Sequence, residues 1–204
     1  EDVQLAADAL MPVFERTQGV DGFASLEVSP QLAYDTQGTL AEARRLWNTV
    51  NRKNLMIKVP GTPQGIPAIR QLVTEGISVN VTLLFARTAY EAVANAYLEG
   101  LERRIANGAG VSHVASVASF FVSRIDTSVD ALIDERIAAG GPDANHLSAL
   151  RGKVAIANAK LAYASYQALI ASERWNALAK RGARPQRLLW ASTGTKNPLY
   201  RDVL

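Results

Sequence analysis

The chain has 204 residues, is 48% hydrophobic and 20% charged, and carries a formal net charge of +3. That balance suits a globular domain with a sizeable core, and the absence of cysteine excludes disulfide staples and thiolate metal ligands. The two histidines, His113 and His146, lack ligand-pair spacing, no apolar run approaches the ~20 residues that span a bilayer, and Glu1-Asp2-Val3-Gln4 is not a basic signal-peptide start. A single domain over residues 1–204 is therefore expected, cytoplasmic, without metal or cofactor. The small positive excess permits an anionic partner, and phosphorylated metabolites fit it at least as well as nucleic acid.

In chain order, short aliphatic runs alternate with longer amphipathic stretches. Residues 2 to 17 read as a helix and 22 to 28 as a strand closed by Ser29-Pro30. From about Thr39 a helix follows, with Leu40, Ala43, Trp47 and Val50 at helical spacing, before a strand at 55 to 59. Another helix spans 64 to 75, ended by Glu75-Gly76, and leads to a strand at 77 to 82. A long Ala-rich helix over 86 to 105 precedes a strand near 114 to 119, two or three helices fill 124 to 181, and a last strand covers 187 to 192. No linker, low-complexity tract or internal repeat interrupts this series, and the alternation predicts an α/β fold with parallel strands.

Lys58 is the lone cation in the apolar run Asn54-Leu-Met-Ile-Lys-Val-Pro60. Period-two alternation puts Met56 and Lys58 on one face, with Leu55, Ile57 and Val59 on the other. Either such a lysine snorkels to water, or its amine, freed of its proton by desolvation or nearby positive charge, attacks a carbonyl to form a Schiff base. Other strand ends carry polar residues too. Glu27 shares a face with Ser25, Asn80 with Thr82 opposite Val79, Val81 and Leu83, and Ser119 and Ser192 end the later strands. Singly, each reads as a turn, cap or solvated residue. On successive strands they fit the C-terminal rim of a (β/α)8 barrel, where strand-end side chains build active sites.

Five segments carry a family resemblance: Ser-Leu-Glu-Val-Ser-Pro around Glu27, Leu-Met-Ile-Lys-Val-Pro-Gly-Thr around Lys58, Ile-Ser-Val-Asn-Val-Thr-Leu-Leu-Phe at 77 to 85, Ala-Ser-Phe-Phe-Val-Ser-Arg-Ile-Asp at 118 to 126, and Leu-Trp-Ala-Ser-Thr-Gly-Thr-Lys-Asn-Pro at 189 to 198. In this order they resemble the transaldolases, a class I aldolase family, in their longer bacterial branch. The resemblance implies a TIM barrel and transfer of a dihydroxyacetone unit from sedoheptulose 7-phosphate or fructose 6-phosphate to glyceraldehyde 3-phosphate or erythrose 4-phosphate, a pentose phosphate pathway step. It implies Lys58 as the Schiff-base lysine and Glu27, through a water held by Thr82, as the acid-base group. Asn80 and Ser119 match positions that hold the dihydroxyacetone hydroxyls. Arg124 matches a phosphate-binding arginine, which without the resemblance reads as a helix-surface cation.

Two departures stand beside the match. After Ser192, where many of the family carry a second phosphate arginine, this chain has Thr193-Gly194-Thr195-Lys196, so Lys196 is the candidate for that charge, as a point charge rather than a bidentate fork. The family's first two strands and its last have no counterpart here, about five strands being legible where a closed barrel needs eight. An incomplete chain is the expectation, in line with the absence of an initiating Met. Asp21 sits before the first legible strand and does not replace the first-strand aspartate. The alternatives left open are an inactive or partner-dependent barrel fragment that binds sugar phosphate, and a simple Schiff-base aldolase. A nucleic-acid module built on Arg174, Lys180, Arg181, Arg184 and Arg187 is weaker, because charges at helix ends are commonly solvated. Oligomeric state stays open between monomer and homodimer.

Overall fold

The computed structural model describes residues 1–140 and 142–200. Five strands form one parallel sheet: β1 (Ala24–Glu27), β2 (Leu55–Pro60), β3 (Val79–Leu84), β4 (Ser116–Phe121) and β5 (Arg187–Ala191), paired in chain order. Among them run α1 (Asp2–Arg16), α2 (Thr36–Val50), α3 (Gly65–Glu75), α4 (Arg87–Ala106), α5 (Ser123–Ala138), α6 (Ala144–Ser148), α7 (Val154–Ile170) and α8 (Glu173–Ala179). Strictly sequential parallel strands are the pattern of consecutive barrel units, whereas a doubly wound sheet reverses its order at a switch point. The described residues thus hold five strands of the kind that a closed barrel has eight of.

Parallel register sorts the side chains into two faces. Leu26, Ile57 and Val79 lie level across β1 to β3, and Val59, Val81, Ala118 and Leu188 lie level across β2 to β5. These face the helices. Ile57, Val59, Val79, Val81 and Ala118 are completely buried, packed with Leu40 of α2, Leu72 of α3, Tyr97 of α4 and Trp175 of α8. Each buried aliphatic side chain contributes roughly 1.5–3 kcal/mol, so this layer is the main stabilising contact of the fold. On the opposite face Glu27 is level with Lys58, Lys58 with Asn80, and Pro60 with Thr82.

Local chemistry explains two of the boundaries. The Asp35 carboxylate accepts the Gly38 N–H at 2.9 Å, so α2 starts at Thr36, three residues before the predicted Thr39. α3 ends at Gly76, whose φ of +91° suits glycine. α3 and α4 then pack closely at Gly100, where an added Cβ would sit 2.7 Å from Val73 Cβ and 2.8 Å from the Arg70 carbonyl oxygen. Both obstacles are rigid. Gly100→Ala is expected to destabilise the fold by about 1–3 kcal/mol through overpacking, read as a lower midpoint in urea unfolding.

Two readings need correction. Leu83 does not continue the alternation of β3: its φ is +60°, the register shifts between Val81 and Leu84, and Leu84 takes the buried position while Leu83 points to solvent. A bulge of this kind cannot be read from period-two patterning, which counts every residue once. Among its described residues the stretch from 124 to 181 holds four helices rather than two or three, because α6 and α8 are only 5 and 7 residues long. The cluster of arginines near the C-terminus is largely engaged within the chain. Arg174 forks onto Glu102 at 2.6 and 2.8 Å, Arg184 donates to the Gln18 and Gly19 carbonyls, and Arg187 donates to the Val20 carbonyl and to Asp21 at 3.1 Å. That last contact keeps Asp21 at the N-terminal end of the sheet.

Candidate functional site

Lys58 and Glu27 stand on neighbouring strands at one level, with Lys58 Nζ 3.0 Å from Glu27 Oε2. The lysine side chain is 31% exposed and the glutamate 45%, so the contact is wet, and as a stabilising pair it is worth at most about 1 kcal/mol. The neighbour within hydrogen-bond reach of the amine is thus a carboxylate and not a cation, unlike one of the two settings expected from the sequence. A carboxylate at this distance can take a proton from the amine or return one to an oxygen attached to the same nitrogen.

Around this pair lies a cleft of about 340 Å³. It is lined by Ser25 of β1, Asn80 and Thr82 of β3 and Ser119 of β4. Asn80, Thr82 and Ser119 are buried. Ser119 donates to Asn80 Oδ1 at 2.8 Å, and Asn80 Nδ2 donates to Ser25 Oγ at 3.2 Å. Phe121, Leu189 and Ala191 close the far side with apolar surface. An amine, a carboxylate, an amide and hydroxyls therefore converge on one face, beside the apolar surface of Phe121, Leu189 and Ala191.

The chain matches the family model described as Transaldolase/Fructose-6-phosphate aldolase over residues 1–204. The chain belongs to this family. Proteins named transaldolase from Thermobifida fusca, Trichodesmium erythraeum and Thiobacillus denitrificans are 56%, 53% and 53% identical to it over 203, 206 and 203 residues. Each alignment takes in 100% of this chain but only 54%, 54% and 55% of the relative, so the chain spans about half the length of these curated relatives.

Not every position drawn from the family resemblance reaches the cleft. Lys58, Glu27, Asn80, Thr82 and Ser119 line it, while Ser192, Arg124 and Lys196 do not. Ser192 has φ +55° and turns its hydroxyl to Ser123 at 2.9 Å, fixing the entry of α5. Arg124, exposed on the first turn of α5, lies over the Phe121 ring at 5.0 Å, and so reaches the rim through an aromatic face that is itself in the cleft wall. Lys196 lines a second cavity, of about 350 Å³, shared with Ser123, Asp126, Asp130 and Tyr200. There the Asp126 carboxyl is buried, desolvation raises its pKa above the ordinary aspartate value, and it accepts the Ala155 N–H at 3.2 Å. Ser25, expected on the Glu27 face but given no role there, lines the cleft as well, and Phe121 was not a candidate although counting by two from Ser119 reaches it.

No helix among the described residues is long and apolar enough to cross a membrane, and none of their His, Asp and Glu side chains group into a metal-binding set.

Proposed function

We propose that the chain carries the Schiff-base half of a transaldolase site, moving a dihydroxyacetone unit from a ketose phosphate such as fructose 6-phosphate or sedoheptulose 7-phosphate to an aldose phosphate. The observation that carries this reading is Lys58 Nζ at 3.0 Å from Glu27 Oε2 in a polar strand-end cleft. The Lys58 amine adds to the ketose carbonyl, giving a carbinolamine. Glu27, through a water at Thr82, supplies the proton with which the hydroxyl leaves as water, so that an iminium remains. When the adjacent carbon–carbon bond breaks, its electron pair moves onto the iminium, an aldehyde departs, and an enamine stays on Lys58. Asn80 and Ser119 hold the hydroxyls of the retained three-carbon unit until an acceptor aldehyde takes it.

At the phosphate end we assign Arg124, whose guanidinium fork suits phosphate oxygens, with Lys196 and Ser192 on the segment that follows β5. Lys196 stands in the wall of a separate cavity, so of the three its role is the most exposed to test. The partners proposed are sugar phosphates, and the unit that binds them is one partial barrel spanning residues 1–204.

Borohydride reduction in the presence of fructose 6-phosphate, followed by peptide mapping, tests the reading. An adduct confined to Lys58 is expected, and labelling at another lysine would overturn the assignment. Glu27→Gln keeps the shape but removes the proton carrier, and is expected to slow adduct formation by about a hundredfold while leaving the same lysine modified. Release of dihydroxyacetone without an acceptor would favour a simple aldolase. A second reading, sugar-phosphate binding without turnover, draws on the solvent exposure of Ser25 and Glu27 on β1, an edge strand among the described residues. Binding by calorimetry with no adduct at Lys58 would support it.

A further inference from the structure

Three polar side chains form a belt across the inner face of the sheet. Ser119 on β4 bonds to Asn80 on β3, and Asn80 bonds in turn to Ser25 on β1. Because β2 lies between β1 and β3, the second bond passes over β2. Register sets its height: Ser25 is level with Met56 and Asn80 with Lys58, so the bond runs diagonally between those two side chains. Below it Met56 packs with Phe23 and Val117. Above it stands the Lys58 amine with Glu27.

We propose that Ser25 is a positioning residue of this site, holding the Asn80 amide level with the Lys58 amine. Asn80 is only 8% exposed, and Ser25 is the one side-chain partner of its Nδ2 among the described residues. An amide offers two N–H donors and two acceptor lone pairs, so with one of each engaged, one donor and one acceptor remain for a ligand hydroxyl beside Lys58. A hydroxyl both gives and accepts hydrogen bonds, so the two serines clamp the amide plane whichever way round its oxygen lies. With one clamp lost, the amide is free to swing about its terminal torsion, which is broad and carries little barrier of its own.

The functional arm of this proposal rests on Lys58 as the nucleophile, and its structural arm does not. Two measurements on the chain separate them. In ¹⁵N NMR spectra the Asn80 side-chain amide signals, assigned by their loss in Asn80→Asp, are expected to exchange with water about tenfold faster in Ser25→Ala, as follows from losing one hydrogen bond. Ser25→Thr, which retains the hydroxyl, restores slow exchange. In the borohydride assay with fructose 6-phosphate, Ser25→Ala slows adduct formation by about tenfold in the wild-type background and has no further effect when Asn80 is already alanine. Unchanged amide exchange in Ser25→Ala overturns the proposal. Additive rate losses overturn it as well, since Ser25 would then act independently of Asn80. A wild-type chain that forms no adduct defeats the Lys58 reading alone, and amide exchange still decides whether Ser25 holds Asn80.

Discussion

Replacing Lys58 with alanine is expected to abolish the borohydride-trapped adduct and to lower the rate of dihydroxyacetone transfer by on the order of 10⁴-fold or more, the scale of loss seen when a covalent nucleophile is removed. Lys58→Arg gives the sharper comparison. It keeps a positive charge beside the Glu27 carboxylate, and its guanidinium is never deprotonated in a protein, so it cannot form the imine. If the arginine variant loses the adduct while its unfolding midpoint stays within experimental error of the wild type, the lysine acts as a nucleophile and not as a structural cation. The stability term is expected to be small because the ion pair is wet. Retained labelling in Lys58→Ala would place the reactive amine elsewhere.

The largest expected effect on stability lies on the other face of the same sheet. Phe120 of β4 is completely buried, and its ring packs T-shaped with Trp190 on β5, the centroids 6.1 Å apart and the planes at 90°. Leu84 of β3 is level with Phe120 and is also fully buried. Phe120→Ala therefore opens a void against rigid neighbours and is expected to cost about 3–5 kcal/mol, measured as a fall in the denaturation midpoint at unchanged slope. Phe120→Leu fills more of the space and should recover part of the loss. A cost below about 1 kcal/mol would contradict the packing of β4 between β3 and β5. The adjacent residue, Phe121, points into the cleft, so the two rings form a direct contrast. One serves the core and the other faces the space where a ligand would sit.

Much of this arrangement is legible in the residues because the sheet is buried on one face and polar on the other. Alternation from Lys58 outward puts Met56 with it and Leu55, Ile57 and Val59 opposite, and the pairing of β2 with its neighbours keeps that division. Asn80 and Thr82 follow the same rule. The rule fails at Leu83, where one residue in a left-handed conformation adds a step to the strand, and no local signal distinguishes that leucine from Leu84. At Ser192 the pattern gives a strand end but no direction: its left-handed backbone turns the hydroxyl to Ser123, outside the lining of the cleft. Lys196, four residues on, lines the second cavity, since the direction of a segment after such a turn is set by tertiary contacts and not by spacing.

The sequential order of the strands also bears on how the chain acquires its shape. β2 pairs with β1, β3 with β2, β4 with β3 and β5 with β4, so during synthesis each strand meets a partner that has already left the ribosome. Closing each new pair requires one loop containing a helical connection, and since closure entropy grows slowly with loop length, no single addition is prohibitive. Growth by accretion leaves a fresh hydrogen-bonding edge after every step, which only the next strand removes. A nascent chain can therefore build the lysine strand and both of its neighbours once the residues up to Leu84 have emerged, well before β5 is made.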